Sequence, residues 1–304
     1  MEFEVFIDDF FDKVSPSSIA GFTKNKSIIS LANDFEDGKW RAKKFNNFIW
    51  DNIKETALSV QERNCLVGKE SSLLEAAARN LRLTDKDDDI GQGSELAEIL
   101  LYGIMRARYG ALPVVPKIFY KQNVNDPAKG ADSVHIVLDE GGDFSLWLGE
   151  AKFYTSIENA RLASIVESVK NSLNSDKLKK ENSIITNVSD IEFLGIDDEV
   201  KGKIKKCLNQ RESLDSIKPR LNIPILLLHE CKITQAVSEL TEDYKDEIKK
   251  YHLSRAVAYF SRQLSELSGV FKYEEIKFHL ILFPVPHKSP IVKAFVEKAH
   301  QLRD

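Results

Sequence analysis

The chain has 304 residues, 42% apolar and 30% charged, a composition that supports a substantial buried core and excludes a disordered polypeptide. Its net charge of −4 argues against coating nucleic acid by bulk electrostatics, so contact with phosphates must be local or assisted. Cys65, Cys207 and Cys231 have no CxxC spacing and are expected as reduced thiols, and the six histidines are dispersed, as packed or surface residues are.

The acidic start, Met1-Glu-Phe-Glu-Val-Phe-Ile-Asp-Asp9, does not read as a secretory signal. The longest aliphatic run, Ile223 to Leu228, is broken by Pro224 and falls far short of the roughly 20 residues that span a bilayer. The expected location is therefore the cytoplasm, without membrane contact. No GxxxxGK[ST] or GxGxxG loop is present, so nucleotide-driven work is not encoded.

In chain order, Phe3–Ile7 is strand-like, and helical stretches follow around Lys39–Leu58 and Glu70–Leu83. A charged loop from Thr84 to Gly93 marks a boundary, and its acidic run reads either as a metal-holding loop or as a solvated one. Ser94 is the expected N-cap of a helix over Glu95–Arg108 that Gly110 stops. Pro116–Lys121 reads as a short β run and Gln122–Gly130 as turns. Two strands, Asp132–Leu138 and Phe144–Lys152, flank the turn Asp139-Glu-Gly-Gly-Asp143.

Ile157–Leu173 is an amphipathic helix with Leu162, Ile165, Val166, Val169 and Leu173 on one face, followed by a lysine-rich surface connector that includes Lys177-Leu-Lys-Lys-Glu181. Ile223–His229 and Ile276–Val285 are strands, separated by a helix over Glu242–Leu267, and a closing helix starts at Pro290. This order predicts an α/β sandwich on a central mixed β-sheet flanked by helices. The expected division is an N-terminal α/β extension, residues 1–88, as a candidate docking segment, and a main domain, residues 89–304.

Glu150-Ala-Lys152 is one of several [DE]-x-K tripeptides, among them those beginning at Asp37, Glu199, Glu230, Glu247 and Glu275, so the tripeptide alone says little. Alternation along a strand puts Phe144, Leu146, Leu148, Glu150 and Lys152 on one face, and Asp132, Val134, Ile136 and Leu138 on one face of the preceding strand. If the loop pairs Leu138 with Phe144, the register sets Asp132 opposite Glu150, where like charges destabilise and need compensation. A hard cation such as Mg²⁺ is one compensation; two acids at a wet sheet edge with Lys152 as a surface counter-ion is the other. The rival Glu230-Cys-Lys232 also ends a strand but lacks an acidic strand partner, since Asp215 lies before Pro219 and Pro224.

Gly130-Ala-Asp132, Leu146-Trp-Leu-Gly-Glu-Ala-Lys-Phe-Tyr154 and Ser94-Glu-Leu-Ala-Glu-Ile-Leu-Leu-Tyr102 together resemble the HamA family of Hachiman anti-phage defence systems and the related AbpA proteins. The likeness covers roughly residues 90 to 290, with Gly149–Tyr154 its most specific part. It implies a PD-(D/E)xK nuclease-like core and a metal-dependent deoxyribonuclease that works on DNA beside a superfamily 2 helicase. Asp132, Glu150 and Lys152 match the family's catalytic residues, and Glu95 and Glu98 fall on its helical acids. The implied Mg²⁺ or Mn²⁺ ligands are Asp132, Glu150, the Ala151 carbonyl and Glu98.

This chain has Ser-Glu-Leu-Ala-Glu where the family pattern is closer to Gly-Glu-Phe-Gly-Glu, so which glutamate serves the metal stays open; both also suit a helix N-terminus. Lys117, Lys121, Lys129, Arg161 and Lys170 flank the site in sequence as candidate phosphate contacts or as solvated side chains. Two other readings stand beside the nuclease: a non-catalytic, nuclease-like subunit of a helicase complex, and a sequence-specific restriction endonuclease. The second needs a basic DNA-reading surface, which the sequence does not display.

Overall fold

The computed structural model describes residues 2–14, 25–83, 93–120, 131–187, 189–209 and 211–304. The strands are β1 (Glu4–Phe10), β2 (Lys26–Ala32), β3 (Phe35–Glu36), β4 (Lys39–Trp40), β5 (Leu112–Val115), β6 (Ser133–Leu138), β7 (Phe144–Tyr154), β8 (Leu221–Glu230) and β9 (Lys277–Val285). The helices of the first half are α1 (Phe11–Val14), α2 (Ala42–Ala57), α3 (Val60–Cys65), α4 (Glu70–Arg79), α5 (Ser94–Tyr109) and α6 (Lys117–Tyr120). Those of the second half are α7 (Asn159–Ser172), α8 (Ser175–Asn187), α9 (Asp198–Cys207), α10 (Leu214–Ile217), α11 (Lys232–Gln235), α12 (Glu242–Leu267) and α13 (Lys288–Arg303).

Seven strands form one mixed sheet in the order β1-β2-β9-β8-β7-β6-β5. The central strands β2, β9, β8 and β7 run parallel to one another, and β1, β6 and β5 join antiparallel. Parallel strands covered on both faces read as continuous apolar runs, and β8 is buried from Leu221 to His229. Alternation then sorts side chains between two cores: Phe144, Leu146 and Leu148 of β7 face α7, α8 and α12, whereas Trp147, Ala151 and Phe153 face α2, α4, α5 and α13. The result is the expected α/β sandwich with helices on both faces of a mixed sheet.

Four local expectations change. The segment expected as an N-terminal extension supplies β1 and β2 to the main sheet, β2 pairing with β9 from Lys26↔Phe278 to Ser30↔Leu282, while α2 and α4 pack into the core beside α5. Gly93, at φ 78°, is the N-cap of α5 in place of Ser94. A Cβ there would meet Val292 at 2.9 Å and Phe153 at 3.0 Å, so both conformation and space favour glycine. The β run expected at Pro116–Lys121 is the single helical turn α6, with the strand β5 just before it. The lysine-rich connector contains two helices, α8 and α9. The acidic run of residues 85–89 lies outside the described residues.

Pro224 sits inside β8, where it cannot donate to the ladder. The β7–β8 pairing passes from Trp147↔Asn222 to Glu150↔Ile225 without bonded partners between, and the β8–β9 register continues through Pro224↔His279. Gly149 makes room for this: its hypothetical Cβ would lie 3.3 Å from the Pro224 ring, 2.7 Å from Leu101 and 2.2 Å from the Ser133 hydroxyl.

Candidate active site

The β6–β7 hairpin has the register expected from its turn, Leu138↔Phe144 through Ser133↔Gly149. At the next position the ladder changes: the Asp132 amide donates to the Gly149 carbonyl at 2.7 Å. The Asp132 carboxylate reaches past Glu150, and its Oδ2 accepts from the Ala151 amide at 3.1 Å and from Lys152 Nζ at 2.9 Å. Lys152 Nζ also lies 3.4 Å from Glu150 Oε2. The compensation demanded by the two opposed acids is therefore supplied within the chain by one ammonium and one backbone amide.

This cluster is not a wet sheet edge. Glu150 is 5% exposed. Burial, then the nearby Asp132 charge, push its carboxyl above the usual carboxylate range, opposed by Lys152 and by the Ser168 hydroxyl. Ser168, on α7, donates to Glu150 Oε2 at 2.9 Å. Burial works against the charge of Lys152, but Asp132 and Glu150 outweigh it and raise Lys152, so the ammonium stays protonated.

The two helical acids separate. Glu98, 6% exposed on α5, lines a small cavity with Thr56, Tyr102, Lys117, Asp132 and Ser133, and its charge contributes to raising Lys152. That cavity holds about 10 Å³, the scale of one water molecule. Glu95 does not join the cluster. Its carboxylate accepts from the Arg82 amide at 2.8 Å and the Leu83 amide at 3.0 Å, tying the chain beyond α4 to the first turn of α5.

The rival glutamate is used elsewhere. Glu230 Oε1 accepts from the Lys288 amide at 2.7 Å, at the start of α13, where a carboxylate suits the helix dipole. Lys288 in turn donates from Nζ to the Phe153 carbonyl at 2.9 Å, tying α13 to the end of β7.

Two side chains that hold the site were not singled out from sequence. Ser168 is polar on the flank of an apolar helix face, next to Val169, and that position was its signal. Glu181, within the expected surface connector, is buried on α8 and accepts from Lys117 Nζ at 2.9 and 2.7 Å and from the Ala131 amide at 3.1 Å. Lys117, a candidate phosphate contact or solvated side chain from the sequence, is 3% exposed in this pair. Arg161 lies over the Tyr154 ring, Lys170 pairs with Glu266 at 3.1 Å, and Lys121 and Lys129 are outside the described residues.

Mg²⁺ is commonly held by one or two carboxylates, with waters and substrate phosphates completing its shell. Asp132 and Glu150 offer that hard-oxygen donor set. Among the described residues no three His, Cys, Asp or Glu side chains form a cluster able to hold an ion by themselves. No described helix is long and apolar enough to cross a membrane. No curated protein matches the chain. The acid pair, the lysine between them and the GEAKFY strand lie within residues 8–299, which match the family model described as HamA, and the chain belongs to the HamA family.

Proposed function

We propose that this HamA protein, by its family a component of Hachiman-type defence, is a metal-dependent deoxyribonuclease of the PD-(D/E)xK type acting as an effector beside a superfamily 2 helicase. The observation that carries the reading is the convergence of Asp132 and Lys152 on the buried Glu150 at one end of a β-hairpin.

Asp132 and Glu150, with the Ala151 carbonyl between them, would hold Mg²⁺ or Mn²⁺, and Glu98 would border the ion from α5. Such an ion, when bound, supplies Lewis acidity toward a phosphodiester and a more acidic water. Lys152, kept protonated by two carboxylates, acts electrostatically: it orients the attacking water and stabilises charge that builds on the phosphate. It is unsuited to be the general base. The net charge of −4 gives the chain little affinity of its own for duplex DNA, so the helicase supplies the grip or the exposed strand.

The test is nicking of plasmid DNA by the purified chain, with and without Mg²⁺, ATP and the co-encoded helicase. Cleavage that requires metal and rises with the helicase and ATP supports the reading; no cleavage under any combination overturns it. A second reading, a non-catalytic nuclease-like subunit, is favoured by the ion pairing of Lys152 with both acids, which closes the cluster on itself. Under that reading Glu150→Gln leaves phage protection unchanged.

A further inference from the structure

We infer that Ser168 is a positioning residue for Glu150, holding its carboxylate in the orientation that receives a divalent cation; the inference rests on the nuclease reading above. Glu150 is too buried to be oriented by bulk solvent. Its donors among the described residues are the Ser168 hydroxyl at 2.9 Å and the Lys152 ammonium at 3.4 Å, and both address Oε2. Oε1 is left as the oxygen for an ion.

The longer of these contacts belongs to the charged donor, and the same ammonium sits 2.9 Å from Asp132. Lys152 is thus shared unequally, and the neutral hydroxyl of α7 takes up the slack on the Glu150 side. Without it, the flexible Glu150 side chain would swing fully onto Lys152, a tighter ion pair that withdraws the carboxylate from the metal position. Outer partners of ligating carboxylates characteristically change metal affinity by about 10- to 100-fold. Ser164, one helical turn earlier, bonds the Arg161 carbonyl at 2.8 Å and serves as the control.

The experiment titrates Mn²⁺ alone into the full chain, following bound ion by electron paramagnetic resonance and thermal stability in parallel, for wild type, Ser168→Ala, Ser168→Thr and Ser164→Ala. The metal dependence of nicking with the helicase present is read separately. Expected are an Mn²⁺ affinity about tenfold or more weaker in Ser168→Ala, recovery in Ser168→Thr, and wild-type affinity in Ser164→Ala. Wild-type affinity in Ser168→Ala, with or without a lowered melting temperature, overturns the positioning role and leaves the nuclease reading intact; so does a loss that threonine fails to restore. Absence of any Mn²⁺ binding by the wild-type chain overturns the metal reading itself.

Discussion

Lys152 Nζ lies 2.9 Å from Oδ2 of Asp132, an ion pair between two strands whose acids would otherwise face each other unshielded. Removing the ammonium therefore has two effects. Lys152→Ala is expected to lower cleavage by a factor of about 100 or more and to destabilise the metal-free protein, because two partly desolvated carboxylates lose their shared counter-charge. Glu150→Gln is expected to abolish cleavage while holding or raising stability, since it removes a buried charge repelled by Asp132. Glu230→Ala, by contrast, should leave cleavage intact and cost only stability at the start of α13. Nicking assays and urea melts on the three variants separate these outcomes, and loss of cleavage in Glu230→Ala alone would reassign the site.

Mg²⁺ or Mn²⁺ is expected to raise the melting temperature, because an ion bound by the native state alone stabilises it, by about 2.7 kcal/mol at a hundredfold excess over Kd. Asp132→Asn should remove most of that gain. Differential scanning calorimetry across a metal titration is the check, and equal responses from wild type and Asp132→Asn would place the ion elsewhere.

The Lys117–Glu181 pair, both members 3% exposed, anchors the residue before Asp132 through the Ala131 amide. Either Lys117→Ala or Glu181→Ala strands a buried charge and is expected to cost about 3–5 kcal/mol. Lys117→Met with Glu181→Leu removes both charges and should recover most of the loss. Chemical denaturation of the singles and the double measures the recovery; a double no better than the singles would mean that the Ala131 bond, not the charge balance, carries the effect.

Three histidines are fully buried. His229 and His252 share a 3.2 Å contact between their Nε2 atoms, and His135 packs against the Tyr102 ring at a 47° tilt with neither ring nitrogen hydrogen-bonded among the described residues. Burial lowers His229 from 6.5 to about 4 and His135 to about 3, and lowers His252 well below its ordinary value. These rings stay neutral in the folded protein while the unfolded chain takes up protons below about pH 6.5. Stability is thus level above that point and falls with pH until the folded values are reached, by about 2 kcal/mol per histidine at pH 5 for His229 and His135. His135→Phe keeps an aromatic ring against Tyr102, removes an unsatisfied polar ring, and should shrink the difference between melts at pH 7.5 and pH 5 by about 2 kcal/mol. An unchanged difference would show that His135 is not among the groups that acid titrates.

What could be read from sequence follows from range. The hairpin register and the bounds of α12, Glu242–Leu267, were legible because a turn and a helical period are local signals. β2 was missed: its neighbour β9 is some 250 residues away, and Lys-Ser-Ile-Ile-Ser-Leu-Ala gives no clean alternation. α6 was read as strand because Ile118, Phe119 and Tyr120 favour β structure, a preference that tertiary packing overrode. Within the site, Asp132, Glu150 and Lys152 were visible from alternation and resemblance. Spacing could not tell Glu95 from Glu98, since each lies near the start of one helix and only the fold turns one toward Asp132 and the other toward Arg82. Glu181 looked like part of a solvated charge run until Lys117, from a distant segment, gave it a reason to be inside.

The pairing of β2 with β9 also has a cost in time. Ser27 meets His279 across a separation of 252 residues, and a ribosome adding about 5–20 residues per second leaves β2 without that neighbour for roughly 13–50 s. During that interval Ile28, Ile29 and Leu31 sit on a strand with an unpaired edge, a hazard for association with other nascent chains. A product cut short before residue 277 would keep that exposed edge indefinitely, so premature termination yields an aggregation-prone fragment.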